Sequence, residues 1–370
     1  MCPKGYRTAP LLLLAVFILH DSAWPCFGAL KGEAEGEVIR VEGRAWVQRE
    51  AEEDRETPLL LGELLYGGDV ARTEEGSEVQ IAMADGSQLV VRSGSQVKMN
   101  DSRLTEGSTS SVSLFFGRLW CKVARLAKAR SFHVETPMVV AGVRGTRFEV
   151  ASFDDGTTLV GVEEGEVRVS ADSEEVTVSR GQAVEAEYGL ALAKPVPFDG
   201  SPGFWEGWRE RRMKMVPRVL PRVAQKMQER LGHALETSRN LHGELLRIST
   251  QIRQMMEEMV RLKKEGRRPG LRRLRERLQE RRERMMLVLQ RLERVDNRLA
   301  AAAPMVKKLR DLAERFRGPL GPAYREVSDR IHSIERDVQS TREVRRENRR
   351  AIRENRRRIQ ELRATIRELE

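Results

Sequence analysis

Two arginines, Arg144 and Arg147, stand three residues apart in the apolar run "TPMVVAGVRGTRFEV", Thr136 to Val150. A guanidinium presents a planar fork of donors and binds carboxylates or phosphates through paired hydrogen bonds. In a strand-like stretch it is either a ligand contact or half of a structural ion pair. If residues 139–150 form one regular strand, Val140, Gly142, Arg144, Thr146, Phe148 and Val150 share a face. Phe148 and Val150 place that face in the core, so Arg144 points inward and needs a carboxylate or several carbonyls. In the other arrangement Gly142 or Gly145 sits in a bulge that turns Arg144 out. The structural reading is preferred to a ligand-binding arginine. Arg147, on the opposite face, is expected to be inert.

Other reactive side chains are sparse. Past the first 28 residues the histidines are His133, His233, His242 and His332. None is spaced with Cys, Asp or Glu as a metal-ligand set, and G-x-S-x-G, H-E-x-x-H and P-loop patterns are missing. Cys121 alternates with Leu119 and Val123 in "GRLWCKV", the position of a small buried hydrophobe rather than a nucleophile. No catalytic, cofactor-binding or metal-ligating residues are expected. The many acids of the first half can still hide a carboxylate pair of the glycosidase kind. A carbohydrate-active or wall-modifying enzyme therefore stands as an alternative.

The elements that position these residues follow from charge and periodicity. The 370-residue chain has a formal net charge of +10, which hides a split. Residues 29–200 hold 19 Lys and Arg against 30 Asp and Glu, whereas residues 201–370 hold 45 against 25. Such asymmetry marks a domain boundary. Residues 1–29 read as a secretory signal peptide, with Lys4 and Arg7 before the apolar run Leu11–Leu19 and small residues at Gly28 and Ala29. The run is too short to span a bilayer, so an exported protein of the periplasm or cell surface is expected.

Residues 30–190 alternate with period two between Gly, Asp and Ser turns, the signature of an all-β domain. Asp85-Gly86 with Ser87, and Asp155-Gly156, supply tight reversals. A Pro/Gly linker and amphipathic junction is expected over 191–221, with Phe204, Trp205 and Trp208 stapling a helical turn onto the β-domain or lying on a membrane. Residues 222–370 read as three heptad helices (222–265, 271–317, 323–370), punctuated by "EGRRPG" and "GPLGP". Short connectors favour an antiparallel three-helix coiled-coil bundle, with a kink at Pro304. Oligomerisation through the third helix, whose seam carries Ile331, Val338, Ile352 and Ile359, is the alternative.

The successive segments "EGEVIRVEGRAWV", "PLLLGELLYGGDVART", "ADGSQLVVRSGSQVKM", "TPMVVAGVRGTRFEV" and "VEEGEVRV…VTVSRGQAV" resemble the FecR-domain family, the ferric-citrate regulators of the bacterial envelope. The resemblance covers residues 33–187 and leaves the helical half unmatched. It implies an extracytoplasmic, β-rich, solenoid-like domain that is not an enzyme. In regulators of this family the domain relays the state of an outer-membrane iron–siderophore transporter to a cytoplasmic sigma factor. This chain instead has a leader and a helical tail where those regulators have a cytoplasmic anti-sigma segment, a membrane span and a transporter-binding domain. The expectation is therefore a non-enzymatic envelope protein whose β-domain docks a partner and whose basic coiled coil is a spacer or oligomeriser. A periplasmic signalling component related to FecR regulators is the second alternative. The expected partner is an envelope protein, or an anionic envelope polymer or lipid surface, with no nucleic acid. The resemblance makes Thr136, Pro137, Gly142, Val143, Arg144, Gly145, Thr146 and Phe148, with Asp85, Gly86 and Ser87, a fold signature and candidate docking surface.

Overall fold

The computed structural model describes residues 34–50, 52, 55–102, 110–125, 131–171 and 174–368. The leader expected over residues 1–29 lies outside them. A β-rich part comes first and long helices follow. Its strands are β1 (Ala34–Glu42), β2 (Ala45–Gln48), β3 (Glu56–Pro58), β4 (Leu64–Tyr66), β5 (Val70–Thr73), β6 (Glu78–Met83), β7 (Gln88–Val91), β8 (Gln96–Met99) and β9 (Ser110–Lys122). They continue as β10 (Phe132–Glu135), β11 (Val140–Val143), β12 (Arg147–Ser152), β13 (Thr158–Glu164), β14 (Glu166–Ala171), β15 (Glu174–Ser179), β16 (Gln182–Ala186) and β17 (Val196–Pro197).

Period-two alternation sets which face is buried. In β6, Val79, Ile81 and Met83 point into the core while Glu78 and Gln80 stay half-buried. The strands form two open ladders. One runs β4–β1–β6–β7–β9–β12–β13–β16–β17. The other runs β3–β2–β5–β8–β9–β10–β11–β14–β15, with β9 and β10 its one parallel pair among the described strands. β9 belongs to both, pairing with β8 up to Phe116 and with β12 from Gly117 onward. Gly117 makes this crossing with φ of 94°, and a Cβ there would lie 2.5 Å from the Ser95 Cα. Only glycine tolerates both the conformation and the approach.

Residues 139–150 are not one strand. β11 lies in the second ladder and β12 in the first, and the chain changes ladder at Arg144-Gly145, where Gly145 has φ of 68°. That turn breaks the period of two, so Arg144 is exposed while Phe148 and Val150 remain fully buried. Glu149, which alternation puts on the face opposite Phe148 and Val150, is also buried. It lies 3.0 Å from Arg118 and 3.6 Å from Arg92, and Arg118 stacks over Trp205 of the following helix. At Glu149 the outer face of this ladder is therefore covered by the chain's own helical half.

That half consists of α1 (Pro202–Lys264), α2 (Arg268–Arg315), the short α3 (Arg317–Leu320) and α4 (Ala323–Glu368). α1 starts inside the stretch expected to be a linker. Ser201 caps it, its Oγ accepting the Phe204 N–H at 3.1 Å with Pro202 following at the first position. It continues through Pro217 and Pro221 because Trp205, Trp208, Arg212, Val216, Val219, Leu220 and Val223 are buried at helical spacing. This burial outweighs a proline cost of about 3 kcal/mol each. Phe204, Trp205 and Trp208 pack edge-to-face with one another and with Phe198 and Phe153, docked on the β-domain. α2 likewise runs through Pro304.

The heptad positions Leu231, Leu241, Leu245, Leu278, Leu292, Leu299, Ile331, Ile352 and Ile359 are buried between the helices. Cross-contacts give the directions. Glu244–Arg284 and Glu258–Arg277 run α1 against α2, while Gln228–Ser333 and Ser238–Asn348 run α1 along α4. The three long helices therefore go up, down and up. Among the described residues no helix is long and apolar enough to cross a membrane.

Candidate functional site

The two halves meet along a polar seam. Asn297 of α2 receives the Lys98 Nζ at 2.7 Å and donates to Asn100 at 3.0 Å. The Asp101 N–H donates to Glu293 at 3.1 Å, and the Asp101 carboxylate pairs with Arg356 of α4 at 2.7 Å. Burial pushes the Glu293 carboxyl up to about 7, against the pull of Lys98 and Arg356. At the start of α1 the buried Arg212 guanidinium reaches Asp155, Thr157, Glu185 and Glu187 at 2.7 to 3.2 Å.

Between these contacts lies a cavity of about 450 Å³. β9 supplies Ser113, Leu114 and Phe115, and the turn from β10 to β11 supplies Glu135 to Val140. α1 supplies Met227, Arg230, Leu231, His233 and Ala234, while α2 supplies Arg294, Asn297, Arg298, Ala301, Ala302 and Met305. The hollow exists because α2 carries four alanines, Ala300 to Ala303, where it crosses the sheet; Ala300 and Ala301 pack on Phe115. Burial raises the pKa of Glu135, opposed by Arg294, the Asn297 contact at 3.5 Å and Arg298. His133 nearby is lowered by burial and by Arg294. Burial also pushes the Tyr188 hydroxyl in the wall up to about 12.

Of the residues singled out in the sequence, Thr136 and Pro137 line this cavity. The Thr136 Oγ1 accepts the N–H groups of Met138 and Val139 at 3.2 and 2.9 Å, which shapes the turn, and the Pro137 carbonyl accepts Arg230 at 3.0 Å. The others lie elsewhere. Gly142 leaves room for the His133 ring, Val143 and Phe148 fill the core, and Thr146 donates to the Glu166 carbonyl at 3.2 Å. Arg144 and Gly145 form the turn at the far end of β11. Asp85, Gly86 and Ser87 close the reversal from β6 to β7, where the Asp85 carboxylate accepts the Ser87 N–H at 2.8 Å and the Ser87 hydroxyl accepts the Ala124 N–H. Cys121 is fully buried, and burial pushes its thiol well up, away from the reactive thiolate.

Sequence reasoning missed Arg230, Arg294, Asn297 and Arg298. Their signal is a second helical stripe, Asn297, Ala301 and Met305, beside the heptad seam. Glu135 is the one carboxylate in the described cavity wall, so the paired acids of a glycosidase are not assembled there. Among the described residues no group of three or more His, Cys, Asp or Glu could hold a metal.

Residues 69–168 match the family described as FecR protein. The β-rich part carries a FecR domain. The matched stretch runs from β5 into β14 and contains both sequence motifs. Two crystal structures of a "putative anti-sigma factor" from Parabacteroides distasonis are similar at 19% and 18% identity, with TM-scores of 0.31 and 0.33. They cover 35% and 37% of this chain, which spans 60% and 64% of theirs, less than two thirds of those relatives. A structure described as a "Cell surface anchoring domain" aligns at 31% identity and a TM-score of 0.18, over 19% of this chain and 90% of its own. No curated protein sequence matches.

Proposed function

We propose that this chain is a non-enzymatic protein of the bacterial envelope whose FecR domain docks a protein partner in a signalling or regulatory assembly. The FecR match over residues 69–168 carries this reading. The exposed Arg144 supports it: it stands on the turn between the ladders, with no ion pair among the described residues, where a partner's carboxylate can reach it. The helices act as a built-in clamp on the β-domain and, beyond it, as a coiled-coil spacer. In this outer part Glu244–Arg284 and Glu258–Arg277 join α1 to α2, and Leu246, Val260 and Leu287 are exposed. Along the arginine-rich end, Arg350–Glu354 and Arg357–Glu361 pair one turn apart, which favours a solvated helix face over a polyanion grip. Export to the periplasm or cell surface completes the proposal.

The test is affinity capture from an envelope extract by the purified protein and by an Arg144→Glu variant. Retention of one envelope protein by the wild type, lost with the charge reversal, is the expected result. Release of soluble fragments from envelope polysaccharide by the purified protein would replace this reading with the enzymatic one.

A further inference from the structure

The docking reading does not use the cavity beneath the Thr136 turn. Its wall is apolar in depth, with Phe115, Met138, Met227, Leu231, Ala302 and Met305. Among the described residues of the wall, Arg294 and Arg298 stand against one carboxylate, that of Glu135. Arg294 and Arg298 lie one helical turn apart on α2, are exposed, and make no hydrogen bond or ion pair among the described residues. Arg230 is fixed, donating to the Pro137 carbonyl at 3.0 Å and lying 5.1 Å over the Tyr188 ring. Glu135 accepts from the Asn297 amide at 3.5 Å and is one carboxylate against two arginines, so it weakens the positive mouth without cancelling it. A volume of about 450 Å³ falls within the usual range of small-molecule sites, about 300–1,000 Å³.

We infer that this cavity binds a small amphipathic anion, its apolar body between the methionines and alanines and its carboxylate or phosphate head at Arg294 and Arg298. The two helical arginines present paired donors suited to either head. The flexible methionines adapt to an irregular apolar body. Because the walls come from the FecR domain and from both α1 and α2, a bound ligand would bridge the two halves and raise the stability of the folded chain.

Calorimetric titration of the purified protein with decanoate, decyl phosphate and decanol tests the inference. At least one anion should bind at a single site. Decanol should bind at least about tenfold more weakly, and the double variant Arg294→Gln with Arg298→Gln should weaken the anion by about tenfold or more. Both substitutions fall on exposed helical positions, so the fold is expected to survive them. Tighter binding of decanoate points to a fatty-acid source, and tighter binding of decyl phosphate to a phospholipid-derived one. Failure of both anions to bind would overturn the inference. So would decanol binding as tightly as the anions, or a double variant indistinguishable from wild type. Arg144 lies at the opposite end of β11, so partner capture and ligand binding can fail separately.

Discussion

At the residue scale, the guanidinium held by the Asp155, Glu185 and Glu187 carboxylates is that of buried Arg212, whereas Arg144 is exposed. Arg212 is 4% exposed and its nearest carboxylate, Asp155, is fully buried. Removing one member of a buried pair strands the other charge, so Arg212→Ala is expected to cost about 3–5 kcal/mol. Arg144→Ala, at an exposed turn, should stay within about 0.5 kcal/mol of wild type. Chemical denaturation of both variants checks this, and a larger loss from Arg144 would contradict the placement of its side chain. The sequence around Arg144 already contained the answer in Gly145, since a glycine at positive φ can end one strand and begin another. What could not be read locally was Glu149. Its partners Arg92 and Arg118 come from β7's end and β9, and its cover, Trp205, from α1, all far away in sequence.

At the element scale, the heptads made the three long helices legible, because a seam buried every three and four residues leaves a periodic trace even in a highly charged chain. The start of α1 was hidden by Pro217 and Pro221, which signal helix breaks unless tertiary burial compensates. The β-domain was legible as strands but not as two ladders, since pairing is long-range and a period of two says nothing about which sheet a strand joins. β9 shows where that information resides. Its crossing between ladders depends on Gly117, whose site is crowded by backbone, whereas Gly62 has a similar positive φ of 79° and open space around it. Gly62→Ala should cost about 1–2 kcal/mol from left-handed strain alone. Gly117→Ala should cost at least about 2 kcal/mol more through overpacking. Equal melting temperatures for the two variants would show that the ladders do not hinge there.

At the scale of the whole molecule, the seam between FecR domain and helices ties its fate to pH through Glu293. Lys98, Asp101 and Arg356 act on this carboxyl, and the Asp101 N–H donates to it. Burial is the largest influence and raises it from its ordinary value of 4.5 to about 7. Between those values the folded protein holds a proton that the unfolded chain has released. Stability from this group is therefore complete below about pH 4.5 and is lost as pH rises through 7, by at most about 3 kcal/mol. Glu293→Gln removes the titration while keeping an acceptor for the Asp101 N–H, so the variant should gain stability relative to wild type on going from pH 5 to pH 8. Because the apolar core is continuous across the seam, the loss should affect both halves at once. Far-UV circular dichroism, dominated by the helices, and tryptophan fluorescence, to which Trp46 and Trp120 of the β-rich part and Trp205 and Trp208 at the junction contribute, should then give coincident unfolding curves at each pH. Parallel pH profiles for wild type and variant would refute the role of Glu293. Separated curves from the two probes would instead show that the seam holds two independent folding units.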